Sequence, residues 1–343
     1  MADPGQTYNT SVMLDHLISS QPQLAVLAGD FVYADQWASQ DQRITKALSG
    51  KFTYQPKWDM FGRLFEPLLS VVPLMHTNGN HEIEQLPDGR RNNAYNHRYP
   101  VPTNKYGPPN PTSFPAVTTS DPYNNLYYSV EVPGVFKYIF LTSYSPGQVF
   151  DQSDEQYKWL EKELRLVDRT KTPWLLVTTH APWYNTYKGH YKENECMRQV
   201  YEPLLVKYSV DILVLGHIHS YERTKPVVNY EVNEAGPVHI TMGDGGNIEG
   251  LYKDFIDEVQ ASTFFCAHPE NYTQFPSYQP QACLSFQQGQ YCPTSQPAWS
   301  AYREPSFGHG VIDFANATHA FWTWHKNQWP EWQSGDQVTI IRR

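Results

Sequence analysis

The chain has 343 residues and a formal net charge of −9 at pH 7, with 26 Lys and Arg against 35 Asp and Glu. That balance excludes a basic footprint for a nucleic-acid polymer, and a phosphate-bearing ligand would need a local positive centre, such as metal ions, to overcome the overall field. No apolar run approaches the roughly 20 residues of a membrane-spanning helix, and the length suits one large α/β domain or two modest ones.

The N-terminal stretch "MADPGQTYNT" carries neither a charged n-region nor an apolar h-region, so no signal peptide is legible there. In chain order, the strand candidates are "LAVLAG", "SVVPLMHTNG", "YIFLTSY", "TPWLLVTTH", "VDILVLGH" and "PVHITMGDGG". Runs this continuously apolar suit strands covered on both faces. "NLYYSVEVPGVFKYIFLTSY" reads as a hairpin turning at Pro133-Gly134. "SDEQYKWLEKELRLV" predicts a helix with Ser153 and Gln156 at capping-box spacing and a stripe of Tyr157, Leu160, Leu164 and Val167. "CMRQVYEPLLVKY" predicts another, through Met197, Val200, Tyr201, Leu204 and Leu205.

Two long loops, about 84–125 and about 252–300, interrupt this pattern, and strands resume from Ser306 to Asn327. The organisation expected is one catalytic domain over 1–343, with a Cys-containing insertion at about 252–300 and a C-terminal strand region at about 306–343. Cys196, Cys266, Cys283 and Cys292 lack CxxC spacing and interleaved histidines, which favours disulfides over a zinc knuckle; the pairing stays open. Sequons at Asn9, Asn271 and Asn316 lean towards a secreted glycoprotein.

The chemistry collects where strands stop, which is where α/β folds bind ligands. "ADPGQT" offers Asp3, "GDFVY" Asp30 and Tyr33, "NGNHE" Asn80 and His81, "VTTHAPWYN" His180, and "GHIHSYER" His217 and His219. Taken singly, each has a plainer reading: Asp30 as a turn residue or helix cap, Asn80 as a turn amide, His180 as a hydrogen-bonded core histidine. Spacing by two puts His217 and His219 on one side of a strand, where both imidazoles can converge. Five such endings in one chain point to a metal site.

The order Asp-x-Gly, Gly-Asp-x-x-Tyr, Gly-Asn-His-Glu, a strand-ending His and Gly-His-x-His resembles the metallophosphoesterases. Tyr33 narrows the resemblance to the purple acid phosphatases. "GDFVYAD", "HAPWYNTY", "GHIHSYERT", "GDGGNIEG", "SFGHGVIDF" and "THAFWTWHKNQ" extend it over nearly all of the chain outside the two long loops. It implies a four-layer αββα sandwich, two central mixed sheets flanked by helices. It implies Asp3, Asp30, Tyr33 and His219 as ligands of Fe(3+), and Asn80, His180 and His217 as ligands of a divalent Zn, Mn or Fe that Asp30 also bridges. Three anionic ligands against a metal charge of +5 leave the site positive inside a negative protein.

The activity implied is that of an acid phosphatase: in-line attack of a metal-bound hydroxide on a small phosphate monoester, with His81 and then His190 as donors to the leaving oxygen. Nucleotide diphosphatase, phosphodiesterase and phytase activities share such a centre, and a non-catalytic secreted protein binding a phosphorylated ligand is the reading from another class. A secreted or vacuolar location and no membrane partner are implied, with room for a homodimer. Glu193 and Tyr187 would shape the pocket, Tyr221, Glu222 and Arg223 would pack behind it, Asp244 would turn the chain at the rim, and His309 would be a buried non-ligand.

Two features depart from the family pattern. Many small plant relatives carry two adjacent histidines where this chain has Gly189-His190, so one donor is missing. Only two residues precede Asp3, so the first central strand and the fibronectin-like domain of larger plant relatives are expected to be missing, with Asp3 on a frayed terminus.

Overall fold

The computed structural model describes residues 1–36, 54–84, 92–101, 125–144, 150–259, 266, 292–328 and 333–342. In chain order its strands are β1 (Ala25–Ala28), β2 (Leu74–Thr77), β3 (Tyr128–Val132), β4 (Phe136–Phe140), β5 (Trp174–Thr178), β6 (Ile212–Leu215), β7 (Tyr221–Thr224), β8 (Val227–Val228), β9 (Glu231–Val232), β10 (Val238–Met242), β11 (Ser300–Glu304), β12 (Gly308–Phe314), β13 (His319–Lys326) and β14 (Gln333–Ile341).

The larger sheet runs β11-β7-β10-β6-β5-β4-β3. Its centre, β4 to β5 to β6 to β10, is parallel, and every residue of β5, β6 and β10 is buried, as strands covered on both faces must be. The antiparallel edges come from the β3–β4 hairpin on one side and β7 with β11 on the other. On one face, helices Glu155–Arg165 and Glu195–Lys207 bury Leu160, Leu164, Met197, Tyr201, Leu204 and Leu205 against Leu175, Val177, Leu213 and Leu215. Each such side chain contributes about 1.5–3 kcal/mol by leaving water.

The first of these helices begins one residue later than the capping-box spacing suggests. Asp154 is its N-cap and accepts from the Gln156 N–H, while the Ser153 hydroxyl turns back to Asp151. That frees the Gln156 amide to accept from Thr142 N–H (2.8 Å) and donate to Thr142 C=O (3.0 Å), sealing the end of β4.

On the other face, Leu176, Val214 and Ile240 meet Ala28, Trp322 and Trp324 from a second sheet layer. Among the described residues this layer consists of the parallel pair β1–β2 and the antiparallel triplet β12–β13–β14. Helices Tyr8–Ser19 and Pro56–Leu69 close its outside through Met13, Leu14, Leu27, Phe61 and Phe65. Helix, sheet, sheet and helix therefore stack in four layers.

Tyr221 and Arg223 hold the two sheets together. The Tyr221 ring stacks on Trp324 at 4.4 Å, its hydroxyl accepts from Trp322 Nε1 and donates to Asp336, and Arg223 pairs with the same carboxylate. Glu222 points the other way and accepts from Thr186 N–H and hydroxyl, pinning the segment after β5.

The frayed start expected for Asp3 is corrected. Met1 donates to Val26 C=O (3.0 Å), Ala28 N–H donates to Met1 C=O (3.0 Å), and Asp3 N–H donates to Gly29 C=O (3.1 Å). Ala2 and Asp3 are fully buried. Cys266 is bonded to Cys292, and Cys196 is itself in a disulfide. Cys283, Asn271 and most of the two long loops lie outside the described residues, although helix Asn93–Arg98 forms within the first.

Candidate metal centre

The side chains expected at strand ends meet at the carboxyl edges of β1, β2, β5 and β6. Asp3 sits beside the end of β1; Asp30 and Tyr33 follow β1, Asn80 and His81 follow β2, His180 follows β5, and His217 and His219 follow β6. Asp3, Asp30, Tyr33 and His217 all have left-handed φ, between +53° and +67°. For side chains other than glycine such backbone costs of order 1–3 kcal/mol and persists only where its surroundings hold it.

Those surroundings are specific. Glu82 accepts three backbone N–H groups, from Asp30 (2.8 Å), Phe31 (2.8 Å) and Gly79 (2.7 Å), so one carboxylate ties the turn after β1 to the turn after β2. Asp3 Oδ2 accepts from His217 N–H at 2.8 Å. Gly79 must lack a side chain, because a Cβ there would stand 2.1 Å from Asp30 Oδ1.

Tyr33 Oη, Asp3 Oδ1 and His219 Nε2 form one compact triangle: 3.2 Å from Tyr33 to Asp3, 3.1 Å from Tyr33 to His219, and 3.4 Å from His219 to Asp3. Ligand atoms about 2.1 Å from one octahedral ion and at right angles to each other stand about 3 Å apart. His219 Nδ1 faces Gly250 C=O at 3.2 Å, which places the ring proton there and turns the Nε2 lone pair into the triangle. Burial, then the Asp3 and Asp30 charges, push the Tyr33 phenol well above its ordinary range, so only a strongly charged cation would make it a phenolate.

A second group gathers Asp30, His180 and His217. His180 Nδ1 lies 2.6 Å from Ala28 C=O, so that nitrogen carries the proton and Nε2 is an acceptor. Nε2 faces Asp30 Oδ2 at 3.0 Å, and neither atom has a hydrogen-bond partner beyond this pair. Asn80 Oδ1 is likewise buried and unpaired. Two acceptors in contact need a cation or a proton between them. Burial opposes charge on His180, but the Asp30 and Asp3 carboxylates outweigh it and push the imidazole up to about 9. Burial also works against charge on Asp30, but His180 and His81 hold it well below the carboxylate range. The donor set, the unpaired Asn80 Oδ1 and the spacings within the two groups fit cations held at this edge.

The convergence expected of His217 and His219 takes another form. β6 ends at Leu215, and His217 lies in a bend with φ +67°, so the strand alternation no longer applies. His219 joins Tyr33 and Asp3, whereas His217 Nε2 faces Tyr144 Oη (3.0 Å) and Glu193 Oε2 (3.4 Å).

Both donor candidates border this site. The His81 ring lies 4.2 Å from the Tyr33 ring, the His81 backbone N–H donates to Asp30 Oδ1 (2.9 Å), and Asp35 holds Nδ1 at 2.8 Å. Its Nε2 lies 3.9 Å from Asp30 Oδ2 and 3.8 Å from Glu249 Oε1. The His190 ring lies 4.1 Å from that of His217, with Glu193 at Nδ1 and Tyr252 at Nε2. Tyr187 stays out of the site, buried against Phe255 with its hydroxyl on Tyr221 C=O. Asp244 accepts from Trp324 Nε1, and buried His309 packs 5.0 Å from His325. Sequence reasoning missed Tyr144, Asp35 and Glu249, although Tyr144 ends the quoted strand "YIFLTSY" and carried the same strand-end signal.

Residues 2–221 match the family model described as calcineurin-like phosphoesterase, and residues 283–338 match iron/zinc purple acid phosphatase-like protein C. Among curated proteins, the chain is 39% identical to purple acid phosphatase 15 of Arabidopsis thaliana, covering all of this chain and 62% of that protein. It is 35% identical to purple acid phosphatase 1 of Ipomoea batatas and 33% identical to Fe(3+)-Zn(2+) purple acid phosphatase 12 of Arabidopsis thaliana, with 100% of this chain and 62% of each relative covered. The chain thus spans about three-fifths of the length of these relatives. The solved purple acid phosphatase PPD1 from yellow lupin seeds shares the fold with a TM-score of 0.68 at 20% identity, over 99% of this chain and 52% of that one. A dimetal phosphatase from Danio rerio shares it at 0.52 and 12% identity, over 100% and 98%. With the calcineurin-like model matched from Ala2 to Tyr221, the chain belongs to the calcineurin-like phosphoesterases, and the relatives it is similar to are purple acid phosphatases.

Proposed function

We propose that this chain hydrolyses phosphate monoesters at acid pH, using a ferric ion and a divalent ion held side by side. The observation that carries the reading is the triangle of Tyr33 Oη, Asp3 Oδ1 and His219 Nε2, with 3.1 Å from Tyr33 to His219, beside the buried contact of His180 Nε2 with Asp30 Oδ2 at 3.0 Å. Asp3, Tyr33 and His219 would hold Fe(3+), since hard anionic oxygens suit a trivalent cation. Asn80, His180 and His217 would hold Zn, Mn or Fe(2+), and Asp30 would span both. Bound there, the ions would supply the positive charge that draws phosphate into a negative protein and the means to activate water for in-line displacement.

The chain's own groups do the rest. Glu82 fixes the Asp30 turn, and Tyr144 with Glu193 fixes His217. With Asp35 on Nδ1, His81 turns its Nε2 edge towards Asp30, where it would serve the leaving oxygen; His190, against His217, would be the second donor. We read residues 1–343 as one catalytic domain with its insertion at about 252–300. Disulfides at Cys196 and Cys266–Cys292 support an exported, oxidising destination.

The test is release of inorganic phosphate from an aryl phosphate by protein loaded with iron and zinc. Wild type should release it at acid pH and Asp30→Ala should not. Absence of release from monoesters, diesters, nucleotides and phytate alike would defeat the proposal.

A further inference from the structure

Asn316, Ala317 and Thr318 form the connection from β12 to β13, and all three are exposed. The Asn316 side chain folds back on the residues that follow it. Its Oδ1 accepts from the Thr318 N–H (2.8 Å), the Thr318 hydroxyl (2.8 Å) and the His319 N–H (2.9 Å). Three donors meeting one amide atom fix it as the oxygen, so the NH2 group points the other way. That nitrogen makes no hydrogen bond to the described residues.

The turn is held from behind. Asn316 C=O accepts from Trp174 Nε1 (2.9 Å), Ala317 C=O from Arg342 Nε (2.6 Å) and Thr318 C=O from Arg342 N–H (2.8 Å). Trp174 opens β5, whereas His180 follows the other end of that strand, so roughly 20 Å of extended chain separates the turn from the metal centre. A bulky group on Asn316 Nδ2 would stand at the far end of the sheet and leave the carboxyl edges open.

Asn9, in another sequon, lacks this geometry. It is the second residue of helix Tyr8–Ser19 and half-buried, and its C=O accepts from Asn327 Nδ2 at 2.8 Å. The Ser11 hydroxyl of that sequon turns to Thr7 C=O at 3.4 Å instead of to Asn9. Asn271 lies outside the described residues.

An amide nitrogen is a poor nucleophile because its lone pair is shared with the carbonyl. Donors on Oδ1 draw that density towards oxygen and ease loss of a proton from Nδ2. All three donors come from the next three residues, so the turn is local and can form before the rest of the fold.

We propose that Asn316 carries an N-linked oligosaccharide. The donor class is an oligosaccharide on a lipid diphosphate. Nδ2 bonds to the anomeric carbon as the bond from that carbon to the diphosphate oxygen breaks. The diphosphate leaves with the bonding pair, and one Nδ2 proton passes to a base. The inference rests on the exported destination that the disulfides support and is independent of the phosphatase reading.

The experiment expresses the complete chain behind a cleavable signal peptide in cultured mammalian cells and maps peptides of the secreted protein by mass spectrometry. Wild type, Asn316→Gln and Thr318→Ala are compared, before and after peptide-N-glycosidase in heavy-oxygen water. In wild type the peptide holding Asn316 should carry hexose and N-acetylhexosamine, and the glycosidase should convert Asn316 to aspartate with uptake of one heavy oxygen. Both variants should lose that glycan. Recovery of unmodified Asn316 from secreted wild type would overturn the site, whatever the variants do. A glycan that persists on Asn316 in Thr318→Ala would overturn the part given to the Thr318 hydroxyl. Retention inside the cell despite the signal peptide would overturn the exported destination, and this inference with it.

Discussion

Glu82 accepts the backbone N–H of Asp30 at 2.8 Å and thereby holds a carboxylate-bearing residue in a left-handed conformation. It also takes Phe31 and Gly79, so its two oxygens serve three donors. Burial first, and then the charge of Asp30, push Glu82 up to about 8, against the backbone N–H groups of Gly79 and Phe31, which favour the carboxylate.

Replacing Glu82 should cost both stability and metal. In Glu82→Gln one oxygen becomes an NH2 facing backbone donors, which leaves buried groups unsatisfied at about 1–3 kcal/mol each. The expected outcome is an unfolding free energy lowered by about 3 kcal/mol in total and less than one divalent ion per chain after dialysis. Wild-type metal content in a well-folded variant would show that the Asp30 turn does not depend on this clamp.

Tyr33→Phe isolates the ferric half. The phenol is buried and held neutral by its surroundings, so its only charged state is the one a cation would create. If Tyr33 binds iron as a phenolate, the iron-loaded wild type should show a visible phenolate-to-iron band, and the variant should lose that band and most bound iron while divalent binding by Asn80, His180 and His217 is retained. A visible band that persists in Tyr33→Phe would assign the colour to another residue.

Acid should destabilise the fold through buried neutral histidines away from the metals. Burial, followed by the positive Arg198 nearby, pushes His239 down to about 3, and burial pushes His76 down to about 3 against a backbone hydrogen bond that opposes the shift. Between pH 3 and the ordinary value near 6.5, the unfolded chain binds more protons than the folded one. Stability is therefore full above pH 6.5 and is lost as pH falls, by up to about 1.4 kcal/mol per pH unit for each histidine. His239→Leu should flatten the dependence of the urea midpoint between pH 6 and 4. An unchanged slope would mean that His239 does not titrate with unfolding.

The parts legible in sequence are those where one residue type has one job. β5 and β6 are buried on both faces and read as apolar runs, and β10 is buried likewise although His239 and Thr241 interrupt its run. β14 falls in the expected C-terminal strand region, but its bounds and its pairing with β13 were not legible, because "QSGDQVTII" is half exposed and carries no continuous apolar run. The site residues were legible as strand endings, but their arrangement was not. Left-handed backbone at Asp3, Asp30, Tyr33 and His217 is imposed by Glu82, by Asp3 itself and by neighbouring turns, contacts that no local pattern records. The same holds for His217 and His219, whose spacing suggested one target and whose bend sends them to two.

The most direct measurement is an anomalous-difference map from crystals of the iron- and zinc-loaded chain. The expected result is two peaks about 3.5–4 Å apart, one within bonding distance of Asp3, Tyr33 and His219, the other of Asn80, His180 and His217, with Asp30 touching both. A single peak, or metal bound away from Asp30, would contradict the shared two-cation centre.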